Sequence, residues 1–204
     1  MLVSPSYIYL ASRSLRRREL LQQIQVDHEL LLLRINPARG RDVDEDVTSG
    51  EAPLDYVKRI CLAKAEAGWK RVIQRKRPRK AVLAADTTVC LGDRIFGSPA
   101  GADEARATLR SLSGREHTVL TAVALKLEDR VELAVSESAV RFRDLEDDEV
   151  ERYVQCGEPF DKAGAYAIQG RAAAFISEIR GSYSGVMGLP LYETASMLKK
   201  FGAT

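Results

Sequence analysis

The feature that most constrains this sequence is the apolar run at residues 81–91, because it contains a single acidic residue, Asp86. Its composition predicts a strand that is buried on both faces. Carboxylates are depleted in strands and costly to bury without a partner. Asp86 either ends the strand as a turn residue, or lies inside it and binds Lys, Arg or a metal, or acts as a base. The apolar residues on both sides of Asp86 favour a strand that continues.

Strand patterns alternate with helix patterns along the rest of the chain. Further strands are predicted at residues 7–11, 28–34 and 172–179, with two more within 117–143 joined by a turn at 128–130. Helical spacing covers residues 15–24, 54–68, 102–112, 145–156 and 189–201. A hairpin is predicted at residues 92–97, and residues 70–80 read as a polar link. This order predicts an α/β fold with a mixed, twisted sheet and flanking helices.

Composition limits the class of protein. A length of 204 residues suits one domain over residues 1–204, and a net charge of +2 gives no general basic field for nucleic acid. The three cysteines form no CxxC pair, which is typical of reduced thiols, and two histidines make a zinc site of His and Cys unexpected. No apolar run approaches the roughly 20 residues of a bilayer span. We therefore expect a cytoplasmic protein without membrane or nucleic-acid partners.

A second candidate site lies where the first predicted strand leads through Ser12 and Ser14 into the first helix. Arginines follow at once, at residues 16–18. Cations are unfavourable at a helix N-terminus, whereas its unpaired N–H groups suit a bound phosphate. An anionic ligand and a solvated basic face with a serine cap explain the pattern equally well.

Two further segments carry polar side chains that could bind a ligand. Lys64 lies on the apolar face of its predicted helix, where a lysine more often snorkels to solvent, although an inward lysine beside Asp86 suits phosphate binding. The glycine-rich segment 157–170 holds Asp161, Lys162 and Gln169. An amide such as Gln169 has the donors and acceptor to pair with a nucleobase edge. The alternative for this segment is an ordinary surface loop.

With these segments in place, the sequence resembles the Maf family of nucleotide pyrophosphatases over nearly its whole length. The resemblance implies a two-lobed α/β fold, related to inosine triphosphatases, with the site in a central cleft, and commonly a homodimer. It implies hydrolysis of a nucleoside triphosphate to the monophosphate and pyrophosphate with Mg²⁺ or Mn²⁺. The matching segments are "YLASRSLRRRELL", "YVKRICLAKAEAG", "AADTTVCLGDRIFGSP", "LRSLSGREHTVLTAVAL" and "GEPFDKAGAYAIQGRAAAFISEIRGSYSGVMGLPLYETASML".

The resemblance also implies roles for individual residues. Asp86 matches the family's catalytic acid, which accepts a proton and binds the metal. Glu45 is the acid in the loop at residues 42–46 that best matches a second metal ligand, with Asp44 next. The implied substrate-binding residues are Ser12, Arg16, Arg17, Lys64, Thr87, Lys162 and Gln169. Of these, Arg17, Thr87 and Gln169 fall on positions associated with nucleobase choice in the branch specific for dTTP and UTP.

The sequence departs from the family pattern at "FGSP", where Ser98 replaces a usual lysine. Arg94, earlier in the same hairpin, is the candidate to supply the missing charge. Two other functions stay open beside hydrolysis of dTTP and UTP. One is the same reaction on 7-methyl-GTP, and the other is a weakly active nucleotide-binding regulator of septum formation.

Overall fold

The computed structural model of the chain describes residues 7–34 and 40–203. A mixed sheet of seven strands has the order β2-β1-β3-β5-β6-β7, with β4 paired to β3. β1 pairs in parallel with β2 and β3, whereas β4 runs antiparallel to β3 and β7 antiparallel to β6. The predicted α/β class with a mixed sheet is therefore confirmed. The strands are β1 (Ile8–Leu10), β2 (His28–Leu30), β3 (Val82–Leu91), β4 (Arg94–Phe96), β5 (Glu116–Leu127), β6 (Arg130–Phe142) and β7 (Ile176–Arg180).

Helices connect these strands and flank the sheet. Of two short 3₁₀ turns, Ala163–Ala165 lies in the glycine-rich segment and Arg171–Phe175 directly follows that segment. Within the described part of the chain, no helix is both long and apolar enough to span a bilayer. The α-helices are α1 (Leu15–Gln23), α2 (Pro53–Gln74), α3 (Ala102–Leu112), α4 (Asp147–Gln155), α5 (Tyr183–Met187) and α6 (Leu191–Lys200).

The chain divides into two compact units. The first unit comprises Met1–Asp86, Ala122–Val135 and Gly188–Thr204, and the second comprises Thr87–Thr121 and Ser136–Met187. In the first unit, strands β1 and β3 bury Ile8, Tyr9, Leu10 and Leu83 completely. The core of the second unit is aromatic, with edge-to-face contacts among His117, Phe142, Tyr166 and Phe175.

The predicted end of α2 near Gly68 is wrong, because the helix continues to Gln74. A Cβ at Gly68 would lie 2.7 Å from Val82 Cγ1 and 3.2 Å from the Ala11 Cβ. Gly68 therefore allows the helix to pack closely on the sheet, and it does not end the helix. The polar link predicted at residues 70–80 is correspondingly shorter.

Two assignments after the glycine-rich segment are also corrected. β7 begins at Ile176 and not at residue 172, since Arg171–Phe175 form a 3₁₀ turn. The Glu158 carboxylate accepts hydrogen bonds from the backbone N–H groups of Arg171 (3.0 Å) and Ala172 (3.4 Å) at the start of that turn. Helix α5 is short and was missed, because a five-residue helix has no apolar period to detect.

Candidate active site

Asp86 lies within β3, which continues for five residues beyond it to Leu91. The alternative that Asp86 ends the strand in a turn is therefore wrong. The residue is only 7 % exposed. A carboxylate in this position requires a cation or a hydrogen-bond donor to offset its desolvation.

That cation is Lys64, which α2 directs inward. Its Nζ donates to Asp86 Oδ1 at 2.7 Å and lies 3.1 Å from Glu45 Oε1. The Lys64 side chain is 14 % exposed, so the alternative of a lysine snorkelling to solvent is wrong. Three predicted site residues that are distant in sequence thus form one cluster, which we call the acid–lysine cluster (Asp86, Lys64 and Glu45).

Opposing effects act on the pKa of Asp86, and their net result is a raised pKa. Burial raises the pKa of Asp86 above its ordinary value, and the charges of Lys64 and Arg17 counteract that rise. The nearby Glu45 carboxylate raises the pKa of Asp86 further. A carboxyl group whose pKa is raised is a better proton acceptor than an ordinary exposed aspartate.

The turn between β1 and α1 places Ser12 and Arg17 together. Ser12 Oγ accepts hydrogen bonds from the Ser14 backbone N–H and from Arg17 Nη1, both at 3.2 Å. Arg17 Nε donates to the Gly188 carbonyl at 2.7 Å. Ser14 caps α1, as its Oγ accepts from the Arg17 backbone N–H. Arg16 is half-buried in the same helix.

Arg17 therefore has a structural role in addition to any role in binding. Its guanidinium holds the start of α1 to the carbonyl of Gly188. Burial lowers the pKa of Arg17, and the negative charge of Asp86 raises it. The positive charge of Arg17 thus acts on the buried carboxylate.

The acid–lysine cluster contains two carboxylates that could hold a divalent cation together with ligands from outside the protein. Asp86 and Glu45 both reach Lys64 Nζ, and both offer the hard oxygen ligands that Mg²⁺ and Mn²⁺ prefer. Among the described residues, no group of three or more His, Cys, Asp and Glu side chains could hold a metal alone. One or two carboxylates with phosphate oxygens and water are the usual magnesium ligands at nucleotide sites.

Three predicted site residues belong to the second unit. Thr87 Oγ1 lies 3.1 Å from Thr121 Oγ1, which donates to the Gly185 carbonyl at 2.7 Å. Lys162 Nζ donates to Asp161 Oδ1 at 2.8 Å and to the Phe160 carbonyl at 3.3 Å. Gln169 is exposed. The roles of Thr87, Lys162 and Gln169 in substrate binding stay predictions.

Arg94, the candidate to replace the family's usual lysine, lies in β4 with its guanidinium 4.6 Å from the centroid of the Phe96 ring. Ser98 is exposed. The proposed compensation by Arg94 stays a prediction.

Three residues that hold the backbone of the loop near Glu45 were not predicted from the sequence. Tyr56 and Arg59 of α2 donate to backbone carbonyls of this loop, and Glu51 orients Arg59. The only available signal was the helical spacing of Tyr56 and Arg59, which places them on neighbouring positions of one face.

The sequence matches the model of Maf-like proteins over residues 7–201. It is 58% identical to the dTTP/UTP pyrophosphatase of Aromatoleum aromaticum, covering 96% of this chain and 95% of that protein. It is 54% identical to the dTTP/UTP pyrophosphatase of Nitrosomonas europaea, covering 96% and 94%. Among solved structures, the Staphylococcus aureus Ham1 protein has a TM-score of 0.46 and 16% identity over 68% of this chain and 72% of that one, which is too low for a structural conclusion. The chain belongs to the Maf family.

Proposed function

We infer that this protein is a nucleoside triphosphate pyrophosphatase that hydrolyses dTTP and UTP to the nucleoside monophosphate and pyrophosphate, and so removes these or modified pyrimidine nucleotides from the nucleotide pool. The observation that carries this conclusion is the identity of 58% to a dTTP/UTP pyrophosphatase over 96% of the chain. The acid–lysine cluster supports it, because it supplies a buried carboxylate with a raised pKa beside a lysine and a second acid.

Asp86 is the proposed proton acceptor. Its carboxylate takes a proton from, or orients, a water molecule that attacks the α-phosphorus, and pyrophosphate leaves. The raised pKa of Asp86 makes its carboxylate a stronger proton acceptor than an ordinary exposed aspartate. Lys64 opposes the rise in the pKa of Asp86 and offers positive charge to the phosphate oxygens.

Asp86 and Glu45 are the proposed ligands of a divalent cation, Mg²⁺ or Mn²⁺. When bound, such an ion neutralises charge on the phosphate oxygens. Lys64 Nζ contacts both carboxylates and so keeps them together before the ion and the substrate bind.

The remaining roles rest on the family resemblance. Arg16, Arg17, Lys64 and Lys162 neutralise charge on the triphosphate, which is the main protein contribution to phosphoryl transfer. Ser12 belongs to the phosphate-binding turn. Arg17, Thr87 and Gln169 contribute to the choice of base. A homodimer and a cytoplasmic location are further proposals on the same ground.

The deciding experiment is a steady-state assay of pyrophosphate release with dTTP, UTP, CTP, 7-methyl-GTP and the purine triphosphates. We expect the largest kcat/KM for dTTP and UTP, with nucleoside monophosphate as the second product. A preference for 7-methyl-GTP would replace the proposed substrate. Tight nucleotide binding with hardly any turnover would favour the septum regulator.

A further inference from the structure

The acidic loop at residues 42–46 is attached to α2 at two places: the Asp42 carboxylate accepts from Arg71 Nη2 at 2.6 Å and from Nε at 3.0 Å, and residues 44–46 are held through their backbone. Tyr56 Oη donates to the Glu45 carbonyl at 3.0 Å. Arg59 donates through Nη2 to the Asp46 carbonyl at 3.0 Å and through Nη1 to the Asp44 carbonyl at 3.5 Å. Two side chains of one helix thus hold three consecutive carbonyl groups, and the middle one belongs to Glu45.

Glu51 fixes the orientation of Arg59. The two side chains form a bidentate ion pair, with Nε–Oε1 and Nη2–Oε2 distances of 2.6 and 2.7 Å. Arg59 lowers the pKa of Glu51, which keeps that carboxylate ionised. Glu51 Oε2 also accepts from the Thr48 backbone N–H at 3.1 Å. A bidentate pair restricts the guanidinium plane, and a lysine cannot reproduce this geometry.

Burial alone does not place the Glu45 side chain, since 48 % of it is exposed. Its carboxylate nevertheless lies 3.1 Å from Lys64 Nζ, which also contacts Asp86. The backbone on both sides of Glu45 is held by Arg59, and the Glu45 carbonyl itself by Tyr56. The position of Glu45 therefore depends on the contacts of Arg59 and Tyr56, which lie about one and two helical turns before Lys64 in α2.

We propose that Arg59, oriented by Glu51, is a positioning residue that keeps the Glu45 carboxylate at Lys64, where it and Asp86 bind a divalent cation. This inference rests on the metal requirement of the proposed function. Arg59 does not contact the reacting atoms and acts through Glu45. Residues that orient metal ligands typically change metal affinity or activity by about 10- to 100-fold when they are replaced.

The first test measures Mn²⁺ binding to the whole protein by electron paramagnetic resonance, with a non-hydrolysable α,β-imido analogue of dTTP present. We expect Arg59→Met to raise the Mn²⁺ dissociation constant about tenfold or more. Glu51→Gln leaves Arg59 in place but weakens its orientation, so we expect a smaller rise. Lys58→Met removes the same charge from the adjacent position, and we expect a change within about twofold. Equal Mn²⁺ affinity in Arg59→Met and the wild type would overturn the proposal.

A double-mutant cycle separates positioning from a general structural effect. If Arg59 acts through Glu45, then Arg59→Met changes Mn²⁺ affinity in the wild type but not in a Glu45→Gln background. Additive losses would show that Arg59 acts independently of Glu45 and would contradict the proposal.

Amide hydrogen exchange of residues 42–52 tests the attachment itself, without metal or substrate. We expect faster exchange in Arg59→Met across this loop, with unchanged exchange in β3 as evidence that the variant is folded. Unchanged loop exchange would refute the positioning role. Failure of the wild type to hydrolyse dTTP and UTP would instead refute the proposed function, and the Mn²⁺ and exchange results would still decide the role of Arg59.

Discussion

Lys64 and Lys162 are both predicted phosphate-binding residues, and their side chains are almost equally covered, at 14 % and 15 % exposed. Lys64 contacts Asp86 and Glu45, which are distant in sequence. Lys162 contacts the adjacent Asp161 and the Phe160 carbonyl. Burial of a lysine therefore does not by itself identify the role of that lysine. The acid with which it pairs is a better indicator of its role.

The two acids differ sharply in exposure. The Asp86 side chain is 11 % exposed and that of Asp161 is 77 %. A buried carboxylate that loses its cation is left with a large desolvation cost, whereas an exposed one is solvated by water. The charge of Lys64 therefore affects the protonation of Asp86 strongly. The charge of Lys162 has no comparable effect on the exposed Asp161.

Lys126 extends the comparison, because its side chain is 12 % exposed and lies 3.1 Å from Glu66 Oε2. It has the burial of the other two lysines but no proposed role in the site. Lys126→Met is therefore the matched control for both substitutions below.

Of the two lysine substitutions, Lys64→Met is expected to reduce activity more. We predict a loss of about 10²–10³-fold in kcat/KM for dTTP, because the variant loses a fixed positive charge at the reacting phosphates. Steady-state pyrophosphate release measures it, and Lys126→Met is expected to stay close to the wild type. Equal losses in the two variants would show that buried lysines affect activity only through stability.

The pH dependence of Lys64→Met should change in a defined direction. Lys64 lowers the pKa of Asp86, so its removal leaves burial less opposed and raises that pKa further. Because the ionised carboxylate is the active form, the acidic limb of the kcat/KM profile should move to higher pH. An unchanged acidic limb would show that Asp86 does not control this limb.

A smaller effect is expected from Lys162→Met. We predict an increase in KM of about tenfold with little change in kcat, the value of one hydrogen bond to a charged group at about 1.5 kcal/mol. The acidic limb of its pH profile should stay in place. A shift as large as that of Lys64→Met would remove the distinction between the two lysines.

Much of the fold could be predicted, because periodicity is local information. The strand through Asp86 and helix α3 lie where the pattern placed them. Gly68 misled the prediction of α2, since glycine marks both helix ends and close packing, and only the position of Val82 distinguishes them.

The site was predictable to a lesser degree. Asp86 stood out because an acid within an apolar run is costly, whereas the pattern alone favoured a snorkelling Lys64. The contact of Lys64 with Glu45 depends on a loop that lacks any apolar period, and residues 44–46 of that loop are held through backbone carbonyls. A contact to a backbone carbonyl does not depend on which side chain the contacted residue carries. The role of Arg59 could therefore not be predicted from the sequence.

The most direct test of the catalytic role of Asp86 is Asp86→Asn. The variant is measured both for pyrophosphate release from dTTP and for unfolding in denaturant. We predict a fall in kcat of about 10³-fold or more, because the amide cannot accept the proton. We also predict that the variant stays folded, with a free energy of unfolding close to that of the wild type, since the amide oxygen can still accept the hydrogen bond from Lys64 and Glu45 still pairs with that lysine. Retention of most of the activity by the folded variant would contradict the assignment of Asp86.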